Sequence, residues 1–135
     1  MSTVDDVRRQ MERQFDFIMA LWDCPKPFIT RCTASAGPVR SKVALACDIT
    51  IAAEDIRFGK PKFGTGIVAM LLPWAVLPRH AEEMLLTGSH EIDASRAHAI
   101  GFVNHVVPAD ELVPLGQRIA LDIAAAAGPS ESFIT

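Results

Sequence analysis

The side chains in this chain that suit metal or redox chemistry are few, and their spacing argues against both uses. They are the histidines His80, His90, His98 and His105 and the cysteines Cys24, Cys32 and Cys47. No two histidines stand in an H-x-x-x-H pair, and none accompanies a cysteine in a ligand pattern, so we expect no metal site. The cysteines are odd in number and lie in or beside apolar stretches. Buried thiols in a reducing compartment are therefore the favoured interpretation.

A serine in a run of small residues is the next candidate for chemistry. Ser35 is the centre of TASAG, residues 33–37, between a predicted strand and a predicted helix. A serine at such a turn is the nucleophile in G-x-S-x-G elbows of hydrolases. The first glycine of that motif is missing, and the chain is short for a fold that carries a full triad. A serine nucleophile is therefore the less favoured interpretation.

The elements that must position these side chains begin with an amphipathic helix over residues 3–22. Apolar residues recur there at steps of three or four, with charged residues between them. Thr3 with Asp6 predicts its start, and Pro25 and Pro27 predict its end. The periodic apolar residues are Val4, Val7, Met11, Phe15, Ile18 and Trp22.

The rest of the chain alternates short predicted strands with predicted helices. Asp93 is predicted to cap the N-terminus of a helix, and Gly101 follows the end of the same helix. Predicted strands cover 28–32, 48–52, 56–58 and 103–107; predicted helices cover 38–46, 79–86, 94–100 and 109–127, and 67–77 is an apolar stretch. This order predicts one α/β domain over residues 1–135, with Trp22 and Trp74 as core or subunit-contact groups.

Composition narrows the classes of partner. The net charge is −3, half of the residues are hydrophobic and 21% are charged, which describes globular material without a basic stripe for nucleic acid or membrane lipids. The first 14 residues are charged where a secretory signal needs an apolar core. We therefore expect a cytoplasmic protein with small soluble partners, no nucleic acid and no membrane.

Four stretches of the sequence resemble the enoyl-CoA hydratase/isomerase (crotonase) family, in the order in which that family has them. They are CPKPFI at 24–29, ALACDITIAAEDIRFGKP at 44–61, LPRHAEEMLLTG at 77–88 and IDASRAHAIGFVNHVVP at 92–108. The resemblance implies a crotonase-like α/β fold of the ClpP/crotonase ββα type. It also implies an acyl-CoA thioester as substrate, whose enolate is stabilised by two backbone N–H groups.

One of those donors matches Val39, in the turn Gly37-Pro38-Val39-Arg40, where the family usually has three glycines. The β-branched side chain of Val39 would crowd an approaching thioester, and Pro38 has no N–H to donate. The resemblance therefore predicts an impaired oxyanion hole.

The two carboxylates that hydratases of the family use match Lys42 and Lys62. Lysine carries a proton at neutral pH and cannot accept another, so hydration by the two-carboxylate route is disfavoured. Crowding of two ammonium groups in one pocket would favour loss of a proton, which leaves a neutral lysine base as an alternative. The other alternative is that both lysines are solvated or paired with Glu54 or Asp55. No acid in residues 63–77 replaces the missing carboxylates.

Two function classes remain open. The first is an acyl-CoA enzyme of fatty acid metabolism with impaired or lost hydratase activity, with no cofactor beyond the coenzyme A thioester itself. The second is a non-catalytic binding or assembly subunit, a pseudoenzyme. Because a full family member is about twice this length, we expect a truncated domain whose exposed apolar faces favour a homo-oligomer or a companion chain. The basic residues Arg31, Arg40, Lys42, Lys60 and Lys62 are interpreted as a solvated face, with attraction of CoA phosphates as the alternative.

Overall fold

The fold is α/β, as the sequence predicts, and the computed structural model describes residues 3–33, 40–58, 66–87 and 91–127. The described helices are α1 Val4–Trp22, α2 Arg40–Ala46, α3 Gly66–Ala75, α4 Pro78–Thr87, α5 Ala94–Ala99 and α6 Leu112–Ala127, with a 3₁₀ turn at Ala109–Glu111 before α6. The described strands are β1 Ile29–Cys32, β2 Ile49–Ala53, β3 Arg57–Phe58, β4 Ile92–Asp93 and β5 His105–Val107.

A three-stranded parallel sheet organises the fold, with β2 between β1 and β5. Successive residues of β2 point to opposite faces, as the two-residue period of a strand requires. Ala52 belongs to the larger apolar core, which α1 to α5 help to build. Ile51 and Ala53 belong to a smaller cluster with Leu112 of α6. The sheet is therefore covered on both faces, which is typical of parallel strands.

Helix α1 begins as the sequence predicts. The hydroxyl of Thr3 accepts a hydrogen bond from the N–H of Asp6, and the carboxylate of Asp6 accepts one from the N–H of Thr3. The hydrogen bond from the Thr3 backbone, followed by that from Arg9, lowers the pKa of Asp6 below its ordinary value. Together these contacts form a capping box at the exposed N-terminus of α1.

Helix α5 is also confirmed with its caps. The side chain of Asp93 accepts a hydrogen bond of 2.7 Å from the N–H of Arg96. Gly101, just beyond the helix, has φ +84°, a conformation that other residues rarely adopt.

Two segments differ from a simple reading of the sequence. β3 does not pair with the preceding strand β2; it pairs antiparallel with β4, so Phe58 faces Ile92 across the ladder. The apolar stretch at 67–77 forms most of α3, whose Val68, Leu71 and Leu72 are buried while Trp74 is exposed. Trp74 is therefore not a core residue of this chain.

Candidate functional site

Lys42 lies on α2, the helix that connects β1 with β2, and its side chain is half-buried. Its Nζ donates a hydrogen bond of 2.7 Å to Oε1 of Gln14 on α1. The expected alternative, a pair with Glu54 or Asp55, is not the contact that Lys42 makes. The contact with Gln14 ties together two helices that also pack against each other.

A cavity of about 380 Å³ opens beside Lys42, between α1, α2 and the first residues of α3. Most of its wall is apolar, from the side chains of Met11, Phe15, Ile67 and Met70. Its full lining is Met11, Glu12, Gln14, Phe15, Asp16, Lys42, Gly66, Ile67 and Met70. We call this space the Lys42 cavity. Its mostly apolar wall beside an amine is chemically suited to a short apolar chain.

Among the described residues, the charges around the Lys42 cavity form no ion pair with the lysine. Glu12 is already paired with Arg8, at 3.0 Å. The other ion pairs of the described segments join Arg9 with Asp6 and Arg96 with Glu83. Within residues 3–33, 40–58, 66–87 and 91–127, Lys42 thus carries an ammonium group whose hydrogen-bond partner is a neutral amide.

The residues Gln14, Glu12 and Asp16 were not predicted to take part in the site. They are polar residues on an amphipathic helix, and from sequence they read as its solvated face. A signal did exist: Gln14 lies on the same helix as the apolar Met11 and Phe15, which also line the cavity. The sequence does not show that α1 packs against α2 where Gln14 meets Lys42.

Of the three predicted site residues, Lys42 is described, whereas Val39 and Lys62 lie outside the described residues. Ser35 and His90 lie outside them as well. The roles given to Val39 and Lys62 therefore stay predictions.

The other chemically active side chains do not gather into a second centre within the described segments. No group of three or more His, Cys, Asp or Glu residues there could hold a metal ion. Cys32 is buried, and Cys24 and Cys47 are half-buried. Burial, with a smaller contribution from the charge of Asp48, raises the pKa of the Cys47 thiol, which disfavours the reactive thiolate.

A second, more polar cavity of about 340 Å³ lies between Trp22 and Trp74. Its polar groups are engaged in the fold: Asp48 accepts from the N–H of Phe28, and Asn104 accepts from the N–H of Thr50. Because these two side chains already hold the backbone of Phe28 and Thr50, this cavity is the weaker candidate for a site. Among the helices of the described segments, none combines the length and the apolar character needed to cross a bilayer.

Comparison with known proteins identifies the family and the fold of this chain. The sequence model described as "Enoyl-CoA hydratase/isomerase" matches residues 5–128. Crotonyl-CoA hydratase of Syntrophomonas wolfei is 37% identical over 100 residues, which are 70% of this chain and 38% of that protein.

Solved structures are similar over nearly all of the chain. An enoyl-CoA hydratase/isomerase from Xanthobacter autotrophicus Py2 is 46% identical with a TM-score of 0.73, covering 92% of this chain and 47% of that one. An enoyl-CoA hydratase from Bacillus anthracis is 25% identical with a TM-score of 0.76, covering 92% and 50%. The chain thus spans about half the length of these solved structures, and less of the curated relative.

Proposed function

Because the chain belongs to the enoyl-CoA hydratase/isomerase family, we propose that it binds an acyl-CoA thioester at the Lys42 cavity and that its hydratase activity is impaired or lost. The catalytic positions in this proposal are Lys42 and Lys62, and the oxyanion donor is the N–H of Val39. The setting we propose is fatty acid metabolism in the cytoplasm, with residues 1–135 acting as one domain.

The observation that carries the proposal is the lysine at the wall of the cavity. Its Nζ donates a hydrogen bond to Gln14 Oε1 at 2.7 Å, so an amine stands where the family resemblance predicts a carboxylate. Addition of water to an enoyl thioester needs a base that takes a proton from the water, and a protonated amine cannot do so. The proposal is therefore binding of the thioester without the hydration step.

Binding is tested by filling the cavity from within. Gly66 lines the Lys42 cavity, and a Cβ built on it meets nothing within 4 Å, so a side chain can be added there without strain. We expect the unmodified chain to bind butyryl-CoA more tightly than CoA in a calorimetric titration. Gly66→Leu should weaken butyryl-CoA binding by about tenfold or more, because the added side chain occupies the space of the acyl group.

The matched control is Leu86→Ala, which changes an exposed leucine on α4 away from the cavity. It should bind butyryl-CoA as the unmodified chain does. Absence of saturable butyryl-CoA binding by the unmodified chain would overturn the proposal, and equal binding by Gly66→Leu would place the acyl group elsewhere.

The alternative function, a binding or assembly subunit, is favoured by the exposed apolar stripe of α1. Val4 is 85% exposed and Val7 is 44% exposed, although both belong to the apolar face of the helix. An amphipathic helix normally buries that face. We propose that a second copy of this chain, or a companion chain, covers it.

Light scattering in dilute solution tests this assembly. We expect a mass above that of the monomer, and Val4→Gln with Val7→Gln should return the chain to a monomer because the stripe loses its apolar surface. Leu86→Gln with Leu121→Gln is the matched control, since both leucines are exposed but lie on other helices. A monodisperse monomer of the unmodified chain would contradict self-association and leave the companion chain to be sought.

A further inference from the structure

We infer that the Lys42 cavity selects acyl-CoA thioesters whose acyl chain carries a carboxylate at its far end, an inference that rests on the proposed function. Lys42 binds that carboxylate, and Gln14 is the positioning residue that holds the ammonium at the cavity wall.

The ammonium group of Lys42 has more protons to donate than its hydrogen bond to Gln14 uses. An ammonium has three protons to donate, and Lys42 gives one of them to Gln14 Oε1 at 2.7 Å. The ion pairs of the described segments do not include Lys42. A half-buried charge whose partner among the described residues is a neutral amide is costly, and an anion that enters its surroundings relieves the cost.

The walls of the Lys42 cavity are mostly apolar. Met11 and Phe15 on α1 and Ile67 and Met70 on α3 give the Lys42 cavity an apolar lining. Methylene groups fit such walls, whereas a highly hydrated inorganic anion does not. A short aliphatic chain with an anionic end fits this cavity, because its methylene groups can contact the apolar walls and its anion can contact the ammonium.

Two acidic residues of α1, Glu12 and Asp16, also line the cavity. Glu12 lines the cavity and is paired with Arg8 at 3.0 Å; because both side chains are largely exposed, this pair offsets only part of its charge. Asp16 also lines it, and it is two residues from Gln14 on α1, a separation at which helical side chains do not face each other. Gln14 directs Lys42, so the ammonium is held on the Gln14 side of the helix. Asp16 repels an anion in the same cavity, and the attraction of the Lys42 ammonium has to outweigh this repulsion.

The role of Gln14 follows from its neutrality. A glutamate at this position would keep the contact with Lys42 but would supply the negative charge itself. A leucine would remove the acceptor and free the long lysine side chain to turn to solvent. Both changes should therefore reduce selectivity for a carboxylate, by different physical routes.

The experiment compares two ligands of the same chain length, glutaryl-CoA, which ends in a carboxylate, and pentanoyl-CoA, which ends in a methyl group. Calorimetric titration of the unmodified chain should give tighter binding of glutaryl-CoA by about tenfold or more, the expected effect of a charge-assisted hydrogen bond. Lys42→Met and Gln14→Glu should each lower that ratio to about one or below, Gln14→Leu should reduce it, and Lys42→Arg should retain most of it. Circular dichroism and thermal melting establish that each variant is folded.

Each outcome bears on a different statement. Equal binding of the two ligands by the unmodified chain, or an unchanged ratio in Lys42→Met, overturns the inference and leaves the proposed function standing. A ratio that Gln14→Leu leaves unchanged overturns the positioning role of Gln14, and a ratio that Gln14→Glu leaves unchanged overturns the requirement for a neutral partner. Failure of both ligands to bind overturns the proposed function, and this inference with it.

Discussion

Replacing Lys42 and Lys62 together with glutamate should raise the rate of crotonyl-CoA hydration by about 10²-fold or more over the unmodified chain. Positioned general acid and base groups typically contribute factors of about 10² to 10⁴, and the two substitutions restore the carboxylates that the family uses at these positions. The measurement is the loss of enoyl thioester absorbance when the protein is incubated with crotonyl-CoA. A gain of this size would identify a site that has lost its proton-transfer groups and kept its shape.

The control for this gain is the double variant with Lys42→Gln and Lys62→Gln. It removes the two positive charges as the glutamate variant does, but an amide cannot take a proton from water. The glutamine variant should therefore remain as slow as the unmodified chain. An equal gain in both double variants would show that relief of positive charge, and not carboxylate chemistry, limits the rate.

Truncating the core at Phe58 has the second large expected effect. Phe58 is 1% exposed, and its ring meets that of Phe102 edge to face with centroids 5.0 Å apart. Phe58→Ala should lower the free energy of unfolding by about 3–5 kcal/mol, the usual cost of a cavity left by a buried phenylalanine. Since small domains are stable by about 5–15 kcal/mol, much of the stability would be lost. Urea denaturation followed by circular dichroism measures it.

Phe17→Ala provides the matched control for that loss. Phe17 is 53% exposed on α1, so the same substitution removes far less buried surface. It should cost about 1 kcal/mol or less. Similar losses in the two variants would contradict the place of Phe58 in the core between β3 and α5.

Local signals predicted the parts of the fold that depend on near neighbours. The step of three or four between apolar residues predicted α1 almost to the residue, and Thr3 with Asp6 predicted its start. Asp93 predicted the start of α5. These features depend on hydrogen bonds that span three residues, so the sequence carries them in full.

Long-range contacts could not be predicted in the same way. β3 is too short for its sequence to indicate which strand it pairs with. It pairs with β4, where Phe58 lies opposite Ile92, a residue far away along the chain. The stretch at 67–77 is apolar nearly throughout, so its sequence shows neither the period of an amphipathic helix nor that of a strand. In the structure most of it forms the helix α3.

The candidate site likewise contains one residue that the sequence predicted and one that only tertiary packing revealed. Lys42 was predicted from its place in the family resemblance. Gln14 was not predicted, because it is 28 residues away and meets Lys42 only through the packing of α1 on α2. The partner of a charged side chain is a tertiary property. The sequence left Lys42 either solvated or paired with Glu54 or Asp55, whereas its contact in the structure is the neutral amide of Gln14.

The measurement that tests the loss of hydratase activity most directly uses the unmodified chain alone. The purified protein is incubated with crotonyl-CoA, and the enoyl thioester absorbance is compared with that of a parallel sample of Lys42→Ala. We expect both samples to lose absorbance at the same slow rate as buffer. Rapid loss with the unmodified chain that Lys42→Ala abolishes would contradict this expectation and assign the proton transfer to a neutral lysine.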